Sequence, residues 1–237
     1  MTAKRELIIG IDDSGRGPLI GPMILAGVLI TKEQEKILRE AGVKDSKQLT
    51  HPARVKLAKI IKENSINHKI VKSFPDEIDK FVETKGLNLN TLEAKKAAEI
   101  INALNEGKER LKIILDCPSV NKMAWANKLR GFIEKKENID IICEHKADVN
   151  HPSVSAASIL AKVAREEEVE KLKIEYKKYG DIGSGYPADP TTKKFLKEHG
   201  KELENSGIFR KTWATWKEMF GNKTKKQASP TDFQINS

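Results

Sequence analysis

LIIGIDDSGRGPLIGPMILAGVLI, residues 7–30, is the stretch that decides the fold class. Leu7 to Asp12 is an apolar run that ends in acid. Gly15, Gly17 and Pro18 then break the chain, as such residues do. A second apolar run, Met23 to Ile30, follows; its Val28 and Ile30 favour strand. Two strands joined by a short glycine-rich connection predict an antiparallel pair.

Outward from that pair, strands begin to alternate with helices. Thr50 is placed to cap a helix with Pro52 in its first turn, and Leu57, Ile60 and Ile61 give it an apolar stripe. Ile66–Phe74 reads as a third strand. Thr91 is the expected cap of a second helix, in which Ala97, Ile101 and Leu104 share a face and which Gly107 ends. Leu111–Asp116 and Ile139–Glu144 read as short buried strands, and a long helix is expected from near Ser153 to Tyr179. This order predicts an α/β fold, a mixed β-sheet flanked by helices. A turn-rich loop, Gly180–Pro190, leads into a C-terminal helical extension. The polar stretch from Gly221 onward lacks apolar periodicity and reads as a flexible tail.

Composition bounds the function. The chain has 237 residues, 38% of them hydrophobic, enough for a core and too many for a wholly disordered chain. Lys and Arg total 43 against 34 Asp and Glu, a net charge of +9 that favours polyanionic partners. No apolar run approaches the roughly 18–20 residues of a membrane span, and the first ten residues do not read as a signal peptide. Cys117 and Cys143 form neither a disulfide framework nor a thiolate metal site. The expectation is a soluble, cytoplasmic monomer.

The chemistry sits where predicted strands stop. Asp12 and Asp13 end the first strand, Asp116 ends Leu111–Leu115, and Asp148 follows Ile139–Glu144 by four residues. Strand ends along one sheet edge converge in space. Carboxylates pressed together raise one another's pKa values, and a hard divalent cation such as Mg²⁺, which takes oxygen ligands, relieves that repulsion. Two such ions about 4 Å apart are a known device for phosphodiester cleavage. Acids at strand ends are also common simply because Asp suits turns, so spacing alone leaves both readings open. Gly15-Arg16-Gly17 likewise reads as a hairpin turn or as a backbone that a nucleic-acid strand can approach, with Arg16 on a phosphate. Its spacing is wrong for a dinucleotide fingerprint, and a strand rather than a helix follows. Neither a P-loop, an HExxH zinc motif nor a G-x-S-x-G elbow is present. Trp213 and Trp216, three apart, read as packing residues.

Taken in order, these segments resemble type 2 ribonuclease H (RNase HII), in its archaeal branch. Gly10-Ile-Asp-Asp-Ser-Gly-Arg-Gly17 with Ile20-Gly-Pro-Met23 is similar to the family's opening motif, usually G-I-D-E-A-G-R-G. Lys44-Asp-Ser-Lys-Gln-Leu49, Leu115-Asp-Cys-Pro-Ser-Val120 and Glu144-His-Lys-Ala-Asp148 resemble the next motifs. Ser155–Val163 and Gly183-Ser-Gly-Tyr-Pro-Ala-Asp189 resemble the long helix and its following loop. The resemblance implies an RNase H-like catalytic domain over residues 1–186, a C-terminal helical extension over 187–220 and a tail over 221–237. It implies cleavage of RNA in RNA–DNA hybrids and at single ribonucleotides in duplex DNA, leaving 3′-hydroxyl and 5′-phosphate ends. Asp12, Asp13, Asp116 and Asp148 would hold two Mg²⁺ or Mn²⁺ ions. Gly15, Arg16 and Gly17 would contact the strand at the ribonucleotide, and Tyr186 would stack on the adjacent deoxyribose. Lys47, Lys162 and Arg165 are expected phosphate contacts.

Ser14 replaces the family's usual Ala without evident consequence, and two further features depart from the pattern. Asp13 stands where the family normally has Glu, one methylene longer; the competing reading is a catalytically impaired hybrid-binding protein. In the tail, Gln227-Ala-Ser-Pro-Thr-Asp-Phe233 resembles a sliding-clamp (PCNA) binding box. Gln227 and Phe233 have the right spacing, but Pro230 and Gln234 replace two apolar anchors, so only weak clamp binding is expected.

Overall fold

The computed structural model describes residues 6–44, 46 and 49–221. Lys47 and the tail residues Gln227 and Phe233 lie outside the described residues. The sheet has five strands in the order β3-β2-β1-β4-β5. These are β1 (Glu6–Ser14), β2 (Met23–Ile30), β3 (Asn67–Ser73), β4 (Arg110–Asp116) and β5 (Ile139–Glu144). The first two form the expected antiparallel pair, with Asp13 opposite Leu25. β3 extends that meander antiparallel to β2, while β4 pairs parallel to β1 and β5 parallel to β4. Parallel pairing needs crossovers. Helix α4 (Leu89–Leu104) lies between β3 and β4, and α5 (Lys122–Phe132) between β4 and β5.

Each strand feeds two cores because successive side chains face opposite ways. Ile9 and Ile11 join Leu25 and Leu29 under α4 and α5. Ile8 joins Ile24, Val28 and Ile30 under α7 (Pro152–Glu175) and α2 (His51–Asn64). Gly10 marks the closest approach of β1 to α7: a Cβ there would collide with the carbonyl of Ser153 and lie 2.5 Å from the Val154 nitrogen. A third cluster joins Leu19 and Ile20 to Phe195, Leu196, Phe209 and Trp216 of the C-terminal segment. Its helices are α8 (Pro190–His199) and α9 (Ala214–Phe220).

Several local expectations shift. The α4 helix begins before Thr91, because Asn88 is its cap and accepts the Thr91 amide at 3.0 Å. Gly107 lies past its end, after Asn105. The long helix stops at Glu175, and a short 3-10 turn carries the chain through Lys177–Tyr179. Helices α1 (Lys32–Glu40), α3 (Pro75–Glu83) and α5 were not anticipated. Two carried readable start signals: a capping box at Thr31 with Gln34, and Pro75 in the first turn of α3. The four-residue α6 (Ala147–Asn150) carries Asp148 and is entered through Lys146, in the left-handed region at φ 59°. Among the described residues no helix is long and apolar enough to cross a membrane.

Candidate active site

Three neighbouring strands deliver the acids to one edge. Asp12 and Asp13 sit near the end of β1, Asp116 is the last residue of β4, and Asp148 follows β5. Because β1, β4 and β5 run parallel, their C-terminal ends share an edge. A cleft of about 240 Å³ opens there. It is lined by Asp12, Asp13, Asp116 and Asp148, by Ser14, Gly15, Arg16 and Gly17, and by Lys162 and Tyr186. Larger hollows occur elsewhere, one of about 430 Å³ at the opposite sheet edge around Leu7, Leu29 and Leu111. Convergent charge, rather than volume, singles out the smaller cleft.

The acids are electrostatically crowded. Burial, then the adjacent Asp13, holds the Asp12 carboxyl well above the usual carboxylate range, with Asp116 adding to the rise. Burial raises Asp13 to about 7, with further pushes from Glu93 and Asp116 and a counter-pull from Arg16. Asp12 Oδ1 accepts the Asp13 amide at 2.8 Å, and the Asp12 carboxyl also accepts from the Ser158 hydroxyl. Ser158 lies 2.8 Å from the Ser46 hydroxyl, and the Lys162 ammonium donates to both serines. Thus α7 delivers a cation and a hydroxyl behind Asp12. Asp116 Oδ1 accepts the Ala147 amide at 3.3 Å, which ties the end of β4 to the segment bearing Asp148. Asp148 itself is 1% exposed.

Sequence reasoning missed Glu93. It projects from α4 into the space beside Asp12, Asp13 and Asp116 and is 2% exposed. One of its oxygens takes the Arg16 guanidinium, whose other end donates to Asn90 Oδ1 at 2.6 Å. Its other oxygen, Oε1, has no hydrogen-bond partner among the described residues. Nothing local in the sequence separates this acid from the solvated acids of other helices; only the packing of α4 against β2 and β3 buries it.

The glycine loop and the tyrosine complete the cleft. Gly15 has φ +84°, and a Cβ there would strike the Arg165 side chain and the Pro22 carbonyl, so glycine is required. Arg165 is buried: its guanidinium donates to the Ser184 carbonyl at 3.2 Å and lies 5.2 Å from the centre of the Tyr186 ring. Tyr186 is 42% exposed and faces the cleft. Its loop is braced by Asp189, which accepts the Ser184 amide at 2.7 Å; such hydrogen bonds push the Asp189 carboxyl down to about 2.

All four aspartates offer hard oxygen donors, and the raised Asp12 and Asp13 values express burial first and then mutual repulsion, both of which a divalent cation would offset. The unpartnered Glu93 oxygen adds to the same negative pocket. The donor set therefore fits such a cation in kind. Among the described residues no group of three or more Asp, Glu, His or Cys side chains is already arranged to hold one.

The family model for Ribonuclease HII matches residues 9–216. The chain belongs to the ribonuclease HII family. A ribonuclease HII of Pyrococcus furiosus is 47% identical over 209 residues, covering 87% of this chain and 88% of the relative. The crystal structure of ribonuclease H2 from Pyrococcus horikoshii superposes with a TM-score of 0.78 at 38% identity, covering 90% of this chain and 96% of that one. A structure of a PCNA:RNase HII complex from Archaeoglobus fulgidus gives 0.75 at 36% identity, covering 87% and 95%. The mixed five-stranded sheet flanked by helices is thus the RNase H-like fold of ribonuclease HII structures. Membership carries divalent-metal-dependent endoribonuclease activity of the ribonuclease H type, on RNA–DNA hybrids.

Proposed function

We propose that this ribonuclease HII cleaves both within the RNA of RNA–DNA hybrids and at single ribonucleotides embedded in duplex DNA, with two divalent cations, leaving 3′-hydroxyl and 5′-phosphate ends. The observation that carries this reading is the single cleft lined by four aspartates, the Gly15–Gly17 backbone, Lys162 and Tyr186. Asp12, Asp13, Asp116 and Asp148 would hold the cations, whose chemistry there would be activation of a water and stabilisation of the departing 3′-oxygen. The Gly15–Gly17 loop meets the ribonucleotide sugar, whose 2′-hydroxyl is the local group that distinguishes it from DNA. Tyr186 stacks on the deoxyribose that follows, steadied from behind by Arg165. Lys162 serves the phosphate while it tethers Ser46 and Ser158. Arg16 approaches the strand through its backbone, because its guanidinium is engaged by Glu93 and Asn90.

We extend the proposal to a monomer that binds a sliding clamp weakly through Gln227 and Phe233, in keeping with the complex formed by the Archaeoglobus relative. A duplex with one ribonucleotide, incubated with and without Mn²⁺, tests the catalytic reading. Mn²⁺-dependent cleavage at the ribonucleotide, with a 3′-hydroxyl on the upstream product, is expected. Binding without cleavage under both Mg²⁺ and Mn²⁺ would favour the impaired hybrid-binding alternative.

A further inference from the structure

One arginine from the end of the chain reaches back under the glycine loop. Arg210 is fully buried, the largest such side chain among the described residues. Its backbone lies along the segment after the loop: the Arg210 amide donates to the Leu19 carbonyl at 2.9 Å, and the Gly21 amide donates to the Ile208 carbonyl at 3.0 Å. The guanidinium then spreads over the loop itself. Nη2 donates to the Gly15 carbonyl at 2.6 Å and to that of Gly21 at 2.9 Å. Nη1 donates to the Arg16 carbonyl at 2.9 Å, and Nε to Gly21 at 3.1 Å. The Trp213 ring lies 5.0 Å beneath the guanidinium, and its Nε1 donates to the Gly17 carbonyl at 3.1 Å. The strap is anchored on its far side by Asp79 of α3, which accepts the Lys211 amide at 2.6 Å and the Thr212 amide at 3.1 Å.

These contacts have a directional consequence. In a trans peptide the carbonyl and the following N–H point opposite ways. With the Gly15 and Arg16 carbonyls drawn inward to Arg210, the Arg16 and Gly17 N–H groups are turned away from it. Neither of those N–H groups meets an acceptor among the described residues, and both residues line the catalytic cleft. A paired outward N–H set of this kind suits a hydroxyl or anionic oxygen acceptor.

We infer that Arg210, backed by Trp213, is a positioning residue that sets the peptide orientation of the Gly15–Gly17 loop and thereby the enzyme's preference for a ribose over a deoxyribose at the cleavage position. The inference rests on the functional reading above. A fork of several fixed N–H donors is needed to hold three carbonyls together; a lysine ammonium keeps the charge but not that geometry.

The test compares the wild-type protein with Arg210→Lys and Trp213→Phe. Dissociation constants are measured for a duplex with one ribonucleotide and for its all-DNA counterpart, in Ca²⁺ to suppress turnover. Arg210→Lys should lower the ribose preference by about tenfold, as expected for lost hydrogen bonds to a charged donor. Affinity for the all-DNA duplex should change little. Trp213→Phe leaves an aromatic ring under the guanidinium but removes the Nε1 donor to Gly17 and part of the indole's packing, so it should move the ratio the same way and less; it decides the matter if Arg210→Lys fails to fold. Hydrogen exchange at Leu19, Ile20 and Gly21 gives a second readout without substrate, and should quicken in Arg210→Lys. Unchanged preference in the variants, or equal losses on both duplexes, would overturn the inference. If wild type itself showed no ribose preference, the functional reading would fall, while exchange at Leu19–Gly21 would still report whether Arg210 holds the loop.

Discussion

Raising the pH of the metal-free protein should destabilise it, and Asp13 should account for much of the effect. The carboxyl rises from an ordinary 3.8 to about 7 in the folded protein. An acid whose folded value lies above its unfolded value binds its proton more tightly in the native state. Its contribution is therefore full below about pH 4 and is lost as pH rises through about 7. The gap between 3.8 and about 7 caps that loss at about 4 kcal/mol. Asp13 keeps part of its surface in solvent, so screening should leave about 2 kcal/mol. About a third of that loss falls below pH 5, so at about 2–4 °C per kcal/mol for a chain of this size the melting temperature should fall by roughly 3–5 °C between about pH 5 and pH 8.5 on this account. Asp12 and Glu93, raised by burial as well, add in the same direction. The assay is thermal melting in a chelator across that range, wild type beside Asp13→Asn. The variant should keep the Asp12 and Glu93 part of the slope and lose the rest. Saturating Mn²⁺ should oppose the slope, because metal binding requires the deprotonated carboxylates and tightens as pH rises. An Asp13→Asn protein with the same pH slope as wild type would refute the reasoning.

Asp12→Asn should abolish Mn²⁺-dependent cleavage while hybrid affinity, read by anisotropy, stays within a few-fold; near-wild-type turnover would remove Asp12 from the metal set. Asp13→Glu should keep or raise activity, most visibly with Mg²⁺, whose geometry is stricter than that of Mn²⁺; loss with both ions, seen in parallel cleavage time courses, would mean the pocket is built around the shorter acid. Tyr186→Ala should reduce cleavage at a single embedded ribonucleotide more than cleavage within a long hybrid, since such stacking contributes about 1–3 kcal/mol; equal losses in kcat/KM on the two substrates would assign Tyr186 to holding its loop. Gly10→Ala forces a Cβ into the first turn of α7, so it should cost 3 kcal/mol or about that in chemical denaturation; a change under about 1 kcal/mol would show that β1 and α7 separate easily.

The strands and the acids at their ends were legible because both signals are local. Met23–Ile30 is apolar throughout since it is buried on both faces, and Asp12, Asp116 and Asp148 stand where apolar runs stop. The ordered motifs from Gly10 to Asp189 made the family readable without coordinates. Helix bounds were less so: Asn88, not Thr91, caps α4, because either side chain can cap and only the backbone geometry chooses between them. What tertiary structure alone decided is partnership between distant residues. The +9 charge gave no hint that Arg16 turns to Glu93, 77 residues away, or that Arg210 reaches the carbonyl of Gly15, 195 residues away. A buried charge is expensive unless it is paired and hydrogen-bonded, so the fold has to supply those partners. No periodicity records them, because the strands, α4 and the C-terminal strap meet only when the sheet has formed and its two faces are covered.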